Sequence, residues 1–217
     1  MKGAILAAFA LGLGAPAGAE PEVLFEDAFR GKLAEGWSWI REDPAAWRVT
    51  AEGLEIRVQP GNMWGRANDA KNVLVRPVPD PVAQPIEVAV TVSNRPTGQY
   101  EQVDLVWYYD DSHMVKIGQE QVHGVLCLVM GREEEDKTKT LAKIPIDALA
   151  LEVRFLASGD TIRGQYRPAG AADWHDAAEC PLPKRGEPKI SLQVYQGPQD
   201  ADRWAGFRGF RIVRETP

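Results

Sequence analysis

The sequence predicts an all-β protein built from short antiparallel strands. Apolar and polar residues alternate in short runs over residues 23–214, and Gly, Pro, Asn and Asp separate these runs. No run keeps a helical period over three turns. The predicted strands are 23–29, 37–41, 47–50, 54–58, 73–75, 86–93, 103–109, 114–119, 125–131, 140–144, 151–157, 161–166, 190–195 and 207–214. So many strands in a chain of 217 residues must stack as two sheets or close into a barrel.

Turn signals support several of the connections between these strands. Gly53 and Gly159 each lie in a polar turn between two alternating runs, which is the signature of a hairpin. The charged run 132–139, REEEDKTK, predicts a solvated hairpin tip between two further strands.

The hairpin at residues 101–120, EQVDLVWYYDDSHMVKIGQE, has two faces of opposite chemistry. Pairing Trp107 with Val115 places both apolar sets on one face, and a one-residue slip would mix the two faces. On the other face this register sets Gln102 opposite Glu120, Asp104 opposite Gly118 and Val106 opposite Lys116. The sequence therefore predicts a single register for the hairpin.

Two interpretations of the polar face of this hairpin stay open. It is either a solvated outer surface or the floor of a concave sugar site. Amide and carboxylate groups bond to sugar hydroxyls, and aromatic rings pack against the apolar face of a pyranose, so this mixture of side chains suits a sugar. Trp64, in a loop rich in Gly and Asn, is the best candidate for an exposed aromatic side chain. The predicted ligand-binding residues are Trp64, Gln102, Asp104, Tyr108, Lys116, Glu120, Gln193 and Tyr195.

Residues 1–19 have the pattern of a secretory signal peptide. A short apolar run follows Lys2 and ends in Ala17, Gly18 and Ala19, which predicts cleavage after Ala19. The run is too short to span a bilayer, so we expect no membrane partner and a secreted or periplasmic protein. Residues 20–217 are then expected to form one domain.

Composition narrows the classes of partner and cofactor. The net charge of −6 gives nucleic-acid binding no electrostatic support. Two cysteines and three histidines make no zinc signature, and the pairing of Cys127 with Cys180 stays open. We expect no cofactor, with a structural calcium left as an alternative. Its candidate ligands are Glu26, Asp27, Asp43, Asp200 and Asp202. The oligomeric state is not predicted.

The order of motifs FEDAF, WSWIREDPAAWRV, GLEIRV, NVLVRPV, the 101–120 hairpin and FRGFRI resembles a known family. It resembles the concanavalin A-like domain named after a regulation-of-enolase protein, which is similar to the C-terminal β-sandwich of glycoside hydrolase family 43 β-xylosidases. The resemblance covers residues 23–214. It implies a two-sheet antiparallel jelly-roll sandwich of the concanavalin A-like lectin/glucanase type, usually secreted, and it implies fold more firmly than function. Asp104 departs from the family, in which this position is usually Gly.

The sequence favours a binding protein over an enzyme. Concanavalin A-like glucanases carry their catalytic acids as Glu-x-Asp-x-x-Glu on one strand, and this spacing does not occur here. No serine lies in a Gly-x-Ser-x-Gly turn. We therefore predict a secreted, lectin-like carbohydrate-binding domain with no catalytic residues and an oligo- or polysaccharide as its partner. The alternatives are a glycoside hydrolase that uses Asp104 and Glu120, and a protein-interaction domain that uses the same face.

Overall fold

A computed structural model of the protein describes residues 21–214. The strands are β1 (Glu22–Asp27), β2 (Ser38–Ile40), β3 (Trp47–Thr50), β4 (Gly53–Arg57), β5 (Val73–Pro77), β6 (Ile86–Ser93), β7 (Gln102–Asp110), β8 (His113–Val122), β9 (Val125–Glu134), β10 (Lys137–Pro145), β11 (Ala150–Ser158), β12 (Thr161–Pro168), β13 (His175–Pro181), β14 (Lys189–Tyr195) and β15 (Trp204–Arg214). A 3-10 helix (Pro44–Ala46) lies between β2 and β3. In the part of the chain that the structure describes, no helix is long and apolar enough to cross a membrane.

The strands form two antiparallel sheets that pack into a sandwich, which confirms the predicted fold class. The first sheet has the order β13, β12, β11, β6, β15, β4 and β3, and β1 pairs with the second half of β15. The second sheet has the order β10, β9, β8, β7, β14, β5 and β2. The apolar faces of both sheets meet in one large core.

The predicted register of the 101–120 hairpin is confirmed. Trp107 pairs with Val115, and the three predicted pairs on the other face of β7 and β8 are also formed. Trp107, Val115 and Ile117 are fully buried in the core between the sheets. Since side chains alternate along a strand, this burial aims every second residue of β7 and β8 away from the core.

Two features of the topology were not predicted from the sequence. Strand order was left open, and β6, the predicted 86–93 strand, lies in the first sheet and contributes nothing to the polar face of the hairpin. Strand β13 was not predicted, because HDAAECP has no alternating apolar pattern. Only its pairing with β12 defines it as a strand.

Glu101 fixes two loops at one end of the sandwich. Its side chain is fully buried and forms an ion pair with Arg203. It also accepts hydrogen bonds from Asn94 Nδ2 at 3.1 Å and from the backbone N–H groups of Thr97 and Gly98 at 3.0 Å and 3.1 Å. The 94–101 loop before β7 and the 196–203 loop before β15 are thereby held together.

We expect Glu101→Ala to lower the free energy of unfolding by about 3–5 kcal/mol, because it leaves the Arg203 guanidinium without its carboxylate. Urea unfolding would measure this loss. Glu26→Ala, at an exposed position, is the control and should change stability by about 0.5 kcal/mol or less. Equal stability of the two variants would contradict this role of Glu101.

Candidate functional site

Three adjacent strands bring most of the predicted ligand-binding residues together. Strand β7 lies between β8 and β14, and the non-core side of these strands carries the polar residues. Cross-strand pairing sets Gln193 opposite Asp104 and Tyr195 opposite Gln102. We call this surface the polar face, and its residues are Gln102, Asp104, Lys116, Glu120, Gln193 and Tyr195.

Lys116 is the centre of the polar face, although only 2% of its surface is exposed. Its ammonium group lies 2.8 Å from Glu120 Oε2 and 4.0 Å from Asp104 Oδ2, and it donates a hydrogen bond to Gln102 Oε1. Burying a lysine requires partners of this kind, because an unpaired charge away from water is costly. The Lys116 ammonium group therefore links three side chains of β7 and β8, which are Gln102, Asp104 and Glu120.

Asp104 is fully buried, and its carboxylate lacks the hydrogen bonds that would normally accompany burial. Neither of its oxygens has a hydrogen-bond partner among residues 21–214. The same holds for the amide oxygen of Gln193 and the hydroxyl of Tyr195. Gln193 uses its amide N–H to donate to Ser191 Oγ at 3.1 Å. The middle of the polar face thus holds several unsatisfied oxygens in one place.

Burial has a large effect on the titration of this site. It raises the pKa of Asp104 to about 7, against the lowering effect of the Lys116 ammonium. The negative charge of Glu120 raises this pKa further, and the hydroxyl of Tyr195 lowers it. Burial, together with the charge of Asp104, also raises the pKa of Tyr195 well above its usual value. The polar face therefore holds a carboxylic acid that titrates near neutral pH.

The 58–72 loop, between β4 and β5, covers part of the polar face. Trp64 is half-buried, and the centroid of its ring lies 5.0 Å from the Lys116 ammonium. A Cβ atom on Gly131 of β9 would lie 2.5 Å from Cη2 of this indole, so the ring rests directly on the glycine. Met63 is fully buried in a second apolar cluster that includes Tyr195 and Tyr108. Trp64 is accordingly a cover for the polar face and only partly an exposed platform.

Tyr108 lies on the same side of the sheet but away from the ion pairs. Its hydroxyl donates to Asp111 Oδ1 at 2.7 Å, and Asp111 in turn pairs with Arg41 at 2.8 Å. Arg41 also donates to the carbonyl oxygen of Ala70 at 2.7 Å. The structure gives Tyr108 an anchoring role for the loop and does not bring it to the Lys116 group.

Glu133 belongs to this region although the sequence placed it in a solvated hairpin tip. Its side chain is fully buried and accepts a hydrogen bond from the Gly65 N–H at 3.0 Å. Burial raises its pKa to about 7, opposed by this hydrogen bond. The residues that turn the chain are Glu135 and Asp136, both with positive φ. The alternation along β9, which puts Glu133 on the same face as Gly131, was the available signal in the sequence.

The outer end of this sheet carries an open pocket of about 250 Å³. It is lined by Tyr100, Glu120, Val122, His123, Val129, Thr140 and Lys143. Tyr100 is 41% exposed, and its ring lies 6.2 Å from that of His123 in an edge-on arrangement. Apart from Glu120, these residues were not among the sequence candidates, because they come from β8, β9, β10 and two loops that only the folded sheet brings together.

Two of the candidate calcium ligands form hydrogen bonds within the protein, and the two cysteines do not pair. Asp27 accepts hydrogen bonds from Phe29, Ala34 and Trp37, and Asp43 caps the 3-10 helix. Residues 21–214 contain no group of three His, Cys, Asp or Glu side chains that could hold a metal ion. Cys127 and Cys180 are both unpaired and lie in different sheets.

In the structure described, Asp104 and Glu120 do not flank an open groove. Both carboxylates face one ammonium group, and Asp104 is fully buried. Acid and base carboxylates of glycosidases flank an open groove.

Comparison with known proteins shows a relationship of fold. No protein-family description and no curated protein sequence matches the chain. Among solved structures, it is similar to the GH43 BlXynB protein from Bacillus licheniformis, with a TM-score of 0.76, 18% identity, and coverage of 88% of this chain and 39% of that one. A xylan β-1,4-xylosidase from Bacillus halodurans C-125 gives a TM-score of 0.74 at 18% identity, covering 93% and 40%.

A third similar structure is the carbohydrate binding module CBM66 from Bacillus subtilis. It has a TM-score of 0.56 and 13% identity, with 82% of this chain and 94% of the module covered. The chain thus spans about two fifths of the length of the GH43 proteins and most of the module. The predicted similarity to a GH43 sandwich is confirmed as a fold relationship, while the regulation-of-enolase type stays a prediction.

The raised pKa values make stability depend on pH. Asp104 and Glu133 hold their protons up to about pH 7 in the folded protein, whereas the unfolded chain releases them near pH 4. The folded state therefore binds more protons between these values, and the free energy of unfolding should fall as the pH rises from about 4 to 7. Asp104→Asn should remove about 2–3 kcal/mol of this fall between pH 5 and pH 8.

Urea unfolding at several pH values would measure this effect. Asp173→Asn is the matched control. Asp173 is exposed in the loop between β12 and β13 of the first sheet, and this variant should keep the wild-type pH dependence of stability. A pH dependence that is the same in wild type and Asp104→Asn would show that Asp104 does not titrate as described.

Gly118 is required opposite Asp104. A Cβ atom at this position would overlap the backbone carbonyl oxygen of Val103 and a carboxylate oxygen of Asp104. We expect Gly118→Ala to destabilise the protein by about 1–3 kcal/mol, since the backbone must shift. Gly206→Ala, whose Cβ would meet only the flexible Ser93 hydroxyl, should cost less in the same urea titration. Equal losses of stability in the two variants would mean that β7 and β8 shift easily to accommodate the added methyl group.

Proposed function

We propose that this protein is a non-catalytic carbohydrate-binding domain that holds its glycan in the open pocket beside the polar face. The observation that carries the proposal is the composition of this pocket. An exposed tyrosine and histidine form one wall, Thr140 and Lys143 supply hydrogen-bonding groups, and the base is a carboxylate held by a buried lysine. The similarity to a carbohydrate-binding module supports the proposal, because the module shares the sandwich fold.

Each part of the pocket has a role in such binding. The floor is apolar because Val122 and Val129 line it, and an apolar floor suits the C–H face of a sugar ring. Glu120 is mostly buried but lines the pocket, and its bond to Lys116 fixes the direction in which it can accept a hydroxyl. A preformed acceptor of this kind loses little entropy on binding.

The predicted signal peptide indicates that the protein acts outside the cytoplasm. Residues 1–19 lie outside the described residues, and we infer from their sequence that the protein is exported and begins at Glu20 after cleavage. The motif order supports membership of the regulation-of-enolase domain type. Expression of the full chain, followed by N-terminal sequencing of the exported protein, tests the cleavage site.

A thermal-shift series tests the binding proposal. The mature protein is heated with xylo-, gluco-, manno- or galacto-oligosaccharides, each with and without calcium. We expect one class to raise Tm by roughly 3–6 °C when its concentration is about ten times Kd. The Tyr100→Ala, His123→Ala double variant should lose this shift because it removes the pocket wall.

His175→Ala is the matched control. His175 is exposed and lies beside Tyr166 at 5.5 Å on the first sheet, so it reproduces the histidine removal away from the pocket. This variant should keep the full sugar-dependent shift. If no oligosaccharide shifts the wild-type Tm, carbohydrate binding is rejected, and the protein-interaction alternative becomes the better hypothesis. If the double variant keeps the shift, the sugar binds outside the open pocket.

A further inference from the structure

Four buried polar atoms at the middle of the polar face have no role in the pocket described above. They are both carboxylate oxygens of Asp104, the amide oxygen of Gln193 and the hydroxyl of Tyr195, and none makes a hydrogen bond of good geometry in the described part of the chain, although the Tyr195 hydroxyl lies near enough to Asp104 to lower its pKa. A buried polar group without a partner destabilises the folded protein. Natural proteins keep such violations mainly where they serve a function.

The chemistry of these atoms selects a ligand rich in hydroxyl groups. The oxygens of Asp104 and Gln193 are acceptors, whereas the hydroxyl of Tyr195 can both donate and accept. A metal cation would be repelled by the Lys116 ammonium, which lies 4.0 Å from Asp104. A hydroxyl group, in contrast, can donate to the carboxylate and accept from Tyr195 at the same time.

The unsatisfied atoms lie close to the open pocket. Glu120 lines the pocket and bonds to Lys116, and Lys116 in turn faces Asp104. Trp64 covers this route. Its ring lies over Lys116 and rests on Gly131, which pairs with the pocket residue Thr140.

The backbone on both sides of the Trp64 indole is held in place. The Asn62 side chain accepts hydrogen bonds from the N–H groups of Met63 and Trp64 and donates to the Trp64 carbonyl oxygen at 3.0 Å. The Gly65 N–H donates to the buried Glu133 carboxylate. The half-buried indole can therefore leave Gly131 by rotation of its own side chain, while the loop backbone stays folded.

We propose that Trp64 is a gate and that Asp104, Gln193 and Tyr195 form an inner subsite for the hydroxyl groups of a sugar unit. The neighbouring sugar unit occupies the open pocket, so this inference rests on the proposed function. Movement of the indole away from Gly131 exposes the inner subsite, and the sugar hydroxyls then satisfy the four atoms.

Gly131→Ala tests the gate without any ligand. The new methyl group would lie 2.5 Å from Cη2 and 3.0 Å from Cζ2 of Trp64, so the indole must leave its place. We expect acetylation of the Lys116 amine by acetic anhydride, which releases acetate and is followed by mass spectrometry, to be about tenfold faster than in wild type, because the displaced indole no longer covers this side chain. Gly206→Ala is the matched control and should label at the wild-type rate.

Urea unfolding of both glycine variants confirms that they are folded before labelling. If Lys116 in folded Gly131→Ala is acetylated no faster than in wild type, the gate is overturned. This outcome is independent of sugar binding, and it leaves the proposed function intact.

Asp104→Asn tests the inner subsite with the oligosaccharide that shifts the wild-type Tm. Calorimetric titration above pH 7, where Asp104 is ionised, should give an affinity about tenfold or more below wild type, because the substitution removes the charge and replaces one of two acceptor oxygens with an N–H donor. Asp173→Asn should bind as wild type does. Equal affinity of Asp104→Asn and wild type would overturn the inner subsite while the proposed function stands. If no sugar binds the wild type, both are overturned.

Discussion

The register between β7 and β8 is the constraint on which the rest of the structure depends. It places Trp107 and Val115 in the core and, in the same step, puts Asp104 opposite Gly118 and Gln102 opposite Glu120 on the other face. A shift by one residue would move carboxylates and amides into the core and tryptophan out of it. Hydrophobic burial thus fixes the position of the polar residues, although they contribute nothing to the core themselves.

The polar face contains buried charges. Lys116 is buried together with Glu120 and Asp104, and its ammonium group lies closer to the Glu120 carboxylate, at 2.8 Å, than to the Asp104 carboxylate, at 4.0 Å. Buried charges of this kind stabilise a fold less than apolar residues of the same size would, so stability alone does not explain why the face is polar. The raised pKa of Asp104 follows from the same imbalance, since burial outweighs the attraction of one shared ammonium group. A binding function explains this composition better than packing does.

The 58–72 loop divides the sheet surface into a covered part and an open part. Met63 and Trp64 pack over Tyr195 and Lys116, whereas the β8 to β10 end remains open beside Tyr100. Glu120 belongs to both parts. A glycan in the open pocket would therefore lie next to the group that holds Lys116 and, through it, Asp104. The loop, rather than the sheet, determines how much of the polar face a ligand can reach.

The fold class, the hairpin register and the two faces of β7, β8 and β14 could be predicted from the sequence, because alternation in a strand is a local property that burial enforces. Tertiary structure alone decided that β6 lies in the first sheet, that β13 is a strand, that Glu133 is buried and that Trp64 covers Lys116. Strand order and loop placement depend on contacts between residues far apart in the chain, and no local pattern records them. For the same reason the open pocket could not be predicted, since β8, β9, β10 and the 94–101 loop meet there only after the sheets have formed.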